Sequence, residues 1–411
     1  DVERDLQKAF LYRAAALMDN GGYSSAADLL QEAISLDASP QVTNLANYCL
    51  AECYFRNENY DHALQIDNYL LRNGDFKNYD EYRLLPYNIS YAAFKKEDFE
   101  TAVGKFNEFV ENGAGDLDKD ARLRLGDAYF LQGLYKEAAG EYEQVETRYH
   151  DGDIYASYQR AMAFGLMGED KNKIEILARA TADNSSADLY NEAMYELGLT
   201  YMQNGKGGSA SDCFKILLSA EDSSYFVKSL LQLALVNSNE GRYNDAISYY
   251  DRIIREAPLT AEVQDAITGL ESIYQMQGRP SEFIEYLDKA GLSSVRTAGD
   301  KEMMVFAAAD QTFFAGNYPS AVNALQSFLD QYPTGAKTSK AYYYLAESLK
   351  ATGRREAACD AYFQAMKGAD DETAESATLN YADICYSLGH YRRSVEAYET
   401  LSGIAGSQEV K

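Results

Sequence analysis

The chain has 411 residues, 46% of them hydrophobic, with only 28 Gly and 6 Pro, which excludes collagen-like and Pro/Gly-rich disordered chains. A formal net charge of −26 repels phosphate backbones and speaks against nucleic-acid binding through a basic face. Five cysteines are too few for a disulfide scaffold, no apolar run is long enough to cross a membrane, and the opening DVERDLQKAF lacks the pattern of a signal peptide, so no direct membrane insertion is expected.

Taken in chain order, one short pattern recurs: a small turn residue, an aromatic, two polar residues and Ala. It reads GGYSSAADLLQEA at 21–33, NENYDHALQ at 57–65, KEDFETAVGKF at 96–106 and GLYKEAAGEY at 133–142. It returns as EGRYNDAISYY at 240–250, AGNYPSAVNAL at 315–325, TGRREAACDAY at 352–362 and LGHYRRSVEAY at 388–398. Degenerate copies lie at 167–177, 204–214 and 277–287. The spacing stays between 35 and 39 residues over eleven copies, which overrules the expectation of several globular domains from length alone. Each copy carries two apolar stripes of helical period. In the fourth, Leu125, Gly126 and Tyr129 mark the first helix, and Ala138, Tyr142 and Val145 the second. A turn of three or four residues makes the two helices antiparallel. One such hairpin cannot bury both faces and must stack on its neighbours.

Repeat 6 reads Tyr195, Leu197-Gly198, Tyr201, Gly205, Ala210 and Phe214; repeat 10 reads Tyr342, Leu345-Ala346, Gly353, Ala358, Tyr362 and Ala365; Pro258 and Pro333 close repeats 7 and 9. In these residues the chain resembles the tetratricopeptide repeat family over about residues 5–405. The resemblance implies an all-α fold, a right-handed superhelical α-solenoid of about eleven helix hairpins. The expected repeats lie near 7–43, 44–82, 83–118, 119–153, 154–190, 191–226, 227–263, 264–301, 302–338, 339–374 and 375–405, as one continuous domain. The period exceeds the family's usual 34, and segments such as 325–349 resemble the longer repeats of bacterial envelope proteins. That likeness implies a periplasmic or envelope-associated scaffold, with a cytoplasmic one as the alternative. Departures are expected to disturb the regularity near 75–90, 165–180 and 265–285. Pro86 falls inside a first helix, Lys173 and Phe283 replace the packing Ala, and Glu271 replaces a small residue. No polar capping helix follows LSGIAGSQEVK, so we expect a fragment of a longer protein, with self-association through the uncapped ends as one possible consequence.

No catalytic constellation is visible, and neither cofactor nor metal is expected. His62, His150 and His390 lie at predicted turns without useful partners. The carboxylates of DLDKD (116–120) lack the rest of a calcium loop and read as a polar turn. Cys49 and Cys53 share a helix face but have no further ligands nearby, while Cys359 and Cys385 lie on helices that can meet.

The 35 tyrosines are the most informative feature. First-helix positions turned away from the partner helix are expected to line a concave groove. They hold Tyr48, Glu52 and Phe55; Tyr87, Tyr91 and Phe94; Asp127 and Phe130; Tyr158; and Tyr195. Repeats 7 and 8 place no aromatic there. These rings either pad the contacts between repeats or form a stacking surface for a peptide, since Tyr supplies large contact area at low entropic cost. The Lys/Asn pair with which some members of the family clamp a C-terminal carboxylate is absent: its positions hold Tyr48/Glu52, Tyr87/Tyr91 and Leu123/Asp127, among others. An acidic groove favours a basic or neutral protein or peptide partner. The expected function is therefore a non-catalytic interaction scaffold. The alternative is a substrate- or glycan-binding arm of a larger enzyme.

Overall fold

A computed structural model describes residues 2–149, 154–183, 189–220, 223–368 and 371–404. Among these residues there are α-helices and short 3-10 turns and no strands, and no helix is long and apolar enough to cross a membrane. The first compact unit, Asp1–Gln232, contains α1 (Val2–Met18) with α2 (Tyr23–Leu36), α3 (Pro40–Arg56) with α4 (Tyr60–Arg72), and α5 (Leu85–Lys95) with α6 (Phe99–Glu111). It continues with α7 (Asp118–Leu131) and α8 (Tyr135–Arg148), α9 (Ile154–Leu166) and α10 (Asp170–Asp183), α11 (Tyr190–Gln203) and α12 (Gly207–Leu218), and the start of α13 (Phe226–Asn239). The second unit, Leu233–Lys411, takes up the rest of α13 and then α14 (Tyr243–Glu256), α15 (Glu262–Met276), α16 (Pro280–Lys289) and α17 (Ala298–Phe314). It ends with α18 (Tyr318–Gln331), α19 (Thr338–Ala351), α20 (Arg355–Ala365), α21 (Asp371–Ser387) and α22 (Tyr391–Ile404). The tail 405–411, on which the missing cap was read, lies outside the described residues, as does His150.

The turn inside each pair has a physical cause. After α7, Gly133 adopts φ +76° and the Leu134 N–H reaches back to the Tyr129 carbonyl at 2.9 Å, the left-handed stop that satisfies the last helical carbonyls. Repeats 2 and 3 make the same turn with Glu58 (φ 60°) and Glu97 (φ 63°), where a Cβ is unfavourable.

Packing within a pair depends on one position of the second helix. Its side chains are Leu30, Phe106, Tyr142, Leu177, Phe214, Tyr250, Leu287, Leu325 and Tyr362, all of them buried. These side chains press on a small residue of a first helix. A Cβ added at Gly126 would lie 2.7 Å from the Tyr142 ring, and one at Gly198 would lie 2.6 Å from Phe214. The backbones can approach only because those positions carry no side chain. Within the first unit, successive first helices also meet, α1 with α3 and α5 with α7, which places the first helices on its inner face.

The expected irregularities have distinct outcomes. Pro86 sits in the first turn of α5, which starts late, at Leu85, after 3-10 turns over Phe76–Asn78 and Asp80–Leu84. Phe76 is fully buried there and stacks on Tyr79, with centroids 4.9 Å apart. Lys173 is buried at the packing-Ala position, its Nζ held by Glu196 at 3.0 Å. Phe283 fills its position completely, and Glu271 pairs with Arg296 at 2.5 Å. Cys359 and Cys385 are both free, with their sulfurs 3.1 Å apart.

Replacing Gly198 by Val drives a branched side chain into the Phe214 ring and is expected to destabilise the chain by about 1–3 kcal/mol. Gly140, in the exposed face of α8 with nothing near its missing Cβ, is the control: Gly140→Ala gains about 0.4–1 kcal/mol. Urea unfolding followed by circular dichroism checks both.

Candidate functional site

The candidate residues are brought onto the inner face by helical spacing. Tyr48, Glu52 and Phe55 stand at i, i+4 and i+7 on α3, and Tyr87, Tyr91 and Phe94 repeat that spacing on α5. An edge-to-face contact links the two helices, with the Phe55 and Tyr91 centroids 5.7 Å apart, and within α5 the tilted Tyr87 ring lies 5.7 Å from Tyr91. Tyr48 packs near Phe76 at 6.1 Å. Phe94 and Phe130 turn to the hairpin ends instead, against Phe99 at 5.7 Å and Tyr135 at 5.3 Å.

Further along the unit, the tyrosine hydroxyls are spent on carboxylates of adjacent repeats. Tyr87 donates to Asp120 at 2.6 Å, and Tyr158 to Glu192 at 2.9 Å. Asp127 is buried and accepts from Tyr142 and Tyr155, each at 2.8 Å, while Arg124 holds its other oxygen at 2.7 Å. Burial first, then these carboxylates, raise the hydroxyl pKa of Tyr87 and Tyr158 above the usual range, and push Tyr155 to about 12. Tyr195 stands against Phe214 (5.6 Å) and Tyr225 (5.4 Å), and accepts from Gln232 at 3.2 Å. In DLDKD, Asp118 is bound by Arg122 and Tyr149, and Asp120 by Tyr87. Asp127 and Tyr158 are thus inside the packing, their bonding capacity used by the protein.

Repeat 2 differs. Between α3, α4 and α5 lies a recess of about 640 Å³, open to solvent, lined by Ala51, Glu52, Phe55, Arg56, Asp67, Tyr87, Asn88 and Tyr91. Four of the ten sequence-predicted residues are in its wall. Asp67, Arg56, Asn88 and Ala51 are the additions that the groove positions did not include.

Asp67 occupies the very packing position described above, where nine other repeats bury Leu, Phe or Tyr and the last carries the exposed Tyr398. Where that residue is Tyr142, Tyr362 or Tyr398, its hydroxyl donates to the carboxylate fifteen residues earlier: Asp127, Glu347 or Asp383. The residue fifteen before Asp67 is Glu52. Repeat 2 therefore sets a carboxyl where its counterparts set a phenol, opposite a carboxylate, and the ring's volume is left open. Asp67 is only 3% exposed, and its Oδ1 has no hydrogen-bond partner. Burial, with Glu52 adding to it, pushes its pKa up to about 8. Glu52 itself pairs with Arg56 at 2.6 Å, and that guanidinium lies 5.9 Å from the Tyr23 ring. A signal was present in the sequence: an acid in the middle of the Ala63–Asp67–Leu70 apolar stripe of α4.

A carboxyl with its folded-state pKa raised from 3.8 to about 8 binds more proton folded than unfolded, so its contribution to stability falls as pH rises through that window. Asp67→Asn keeps the shape and removes the titration. Its melting temperature is expected to exceed the parent's by several degrees at pH 8.5, with the difference shrinking toward pH 5; calorimetry across that range checks the sign.

Among solved structures, the chain is similar to MamA (22% identity over 42% of this chain and 91% of that one, TM-score 0.37). It is also similar to a tetratricopeptide repeat protein from Parabacteroides merdae (17%, 72% and 96%, TM-score 0.40), and to a structure of Naa15/Naa10 bound to HypK-THB (12%, 98% and 64%, TM-score 0.46). No curated protein matches the sequence. A tetratricopeptide repeat profile matches residues 12–78, 87–153, 195–261 and 306–374, which together make up more than half of the sequence. The chain belongs to the tetratricopeptide repeat family.

Proposed function

We propose that this chain is a non-catalytic scaffold that holds a basic or neutral protein or peptide on the inner face of its first unit, around α3 and α5. The observation that carries the reading is the recess of repeat 2, a volume open to solvent whose lining combines aromatic walls with a buried carboxyl that has an unpartnered oxygen. Tyr158 and Tyr195 of that unit are engaged with a carboxylate or rings of the protein away from this recess, whereas Phe55 and Tyr91, half-buried and packed on each other, line it and present the aromatic surface that a partner meets there. The charge supports the sign of the partner: 64 acidic against 38 basic residues favour encounter with a cationic chain. The long repeat period suits an assembly role at a bacterial envelope, which cell fractionation of the tagged protein tests.

The binding reading is tested with an immobilised peptide library sorted by charge. Basic and neutral peptides are expected to be retained and acidic ones lost. The Phe55→Ala, Tyr91→Ala double variant is expected to weaken retention about tenfold or more, as for aromatic anchors at the centre of an interface. Retention of oligosaccharides in place of peptides, or indifference to the double variant, overturns it.

A further inference from the structure

We infer that the opening between Asp67 and Glu52 is a pocket for one cationic side-chain head, an alkylammonium or guanidinium group carried by the partner. This deepens the scaffold reading and rests on it for the identity of the carrier. Elsewhere the second helix fills this position with a large side chain, and Tyr142 and Tyr362 also satisfy the facing carboxylate. In repeat 2 the same geometry holds two carboxyl groups and no ring, with the Ala51 methyl on the floor where Gly126 meets Tyr142. A buried carboxyl without a donor is costly, and nothing in the protein supplies one to the Asp67 Oδ1. The nearby cation, Arg56, is directed to Glu52 and Tyr23. A cation entering past Phe55 and Tyr91 brings the missing donor, meets two ring faces on the way, and occupies volume that a phenol fills in the sister repeats.

Proton exchange accompanies the event. The groups around Asp67 are Tyr48, Cys49, Glu52, Cys53 and Arg56 on α3, Tyr87 and Tyr91 on α5, and Glu81 of the preceding 3-10 turn. Burial pushes Cys49 to about 11 and Cys53 to about 12 and raises Tyr48, so these stay protonated near neutrality. Asp67, at about 8, is mostly protonated at pH 6, and a cation must displace that proton. Affinity for the cation therefore rises with pH up to about 8.

The test uses the full chain with 13C-labelled alanine methyls, titrated with n-butylammonium and with n-pentanol as the uncharged probe. The Ala51 methyl is expected to shift saturably with n-butylammonium. The dissociation constant is expected to tighten about fiftyfold from pH 6 to pH 8, and to weaken at least about tenfold in Asp67→Asn. Asp67→Tyr, which rebuilds the ring-to-carboxylate arrangement of the sister repeats, is expected to fold at least as stably and to show no shift. Equal responses to n-pentanol and n-butylammonium, or an unchanged affinity in Asp67→Asn, overturn the inference. The peptide library separates it from the scaffold reading. Peptides that bind equally with lysine or norleucine leave the scaffold standing without this pocket. An Ala51 response to n-butylammonium with no peptide retained leaves the pocket standing without the scaffold.

Discussion

Nearly every described helix pair depends on one large side chain of the second helix reaching a first helix. An isolated pair of 13- or 14-residue helices buries too little surface to persist, and the contact at this position is what joins the backbones closely enough to stack. Its demands propagate to other residues. The facing position must be small, which explains Gly126 and Gly198. When the side chain is Tyr, its hydroxyl needs an acceptor, which explains Asp127 and Glu347 in otherwise apolar surroundings.

The tyrosine-rich, acid-rich composition follows from the same constraint. A phenol covers apolar area along its ring and ends in a donor, and a carboxylate accepts from more than one donor at once. Asp127 ties together Tyr142 of its own repeat, Tyr155 of the next and Arg124. Such bonds run from repeat to repeat, with Tyr87 to Asp120 and Tyr158 to Glu192 in the first unit and Tyr286 to Asp251 in the second. These carboxylates are thereby part of the internal structure. Repeat 2 interrupts the scheme, and the interruption is where ring walls, open volume and an unsatisfied carboxyl coincide.

Much of the fold was legible from spacing alone. The 35-to-39-residue period, the turn glycines and the paired apolar stripes point to stacked helix hairpins, and Pro86 called for a disturbance near 75–90 that the structure resolves as a late helix start at Leu85. The site was legible in part. Helical periodicity puts Glu52, Phe55, Tyr87 and Tyr91 on one face, yet it places Asp127 and Tyr158 there equally well. What separates them is whether a neighbouring repeat offers a partner at hydrogen-bonding distance, and that depends on the displacement between repeats, which no single helix encodes. Asp67 escaped the groove positions because it belongs to a second helix. Its place in the apolar stripe of α4 is a local signal, and lining up the packing position across the repeats exposes it as a carboxyl among Leu, Phe and Tyr.

The central claim is that repeat 2 lacks its internal ring so that a partner's cation can take the place. The most direct measurement is a crystal structure of the full chain with the tightest basic peptide from the charge-sorted library. The account predicts a lysine or arginine head lying between the Asp67 and Glu52 carboxyl groups, with its stem against Phe55 and Tyr91. A peptide seated elsewhere, with the recess holding only water and Asp67 still without a cationic partner, would contradict it.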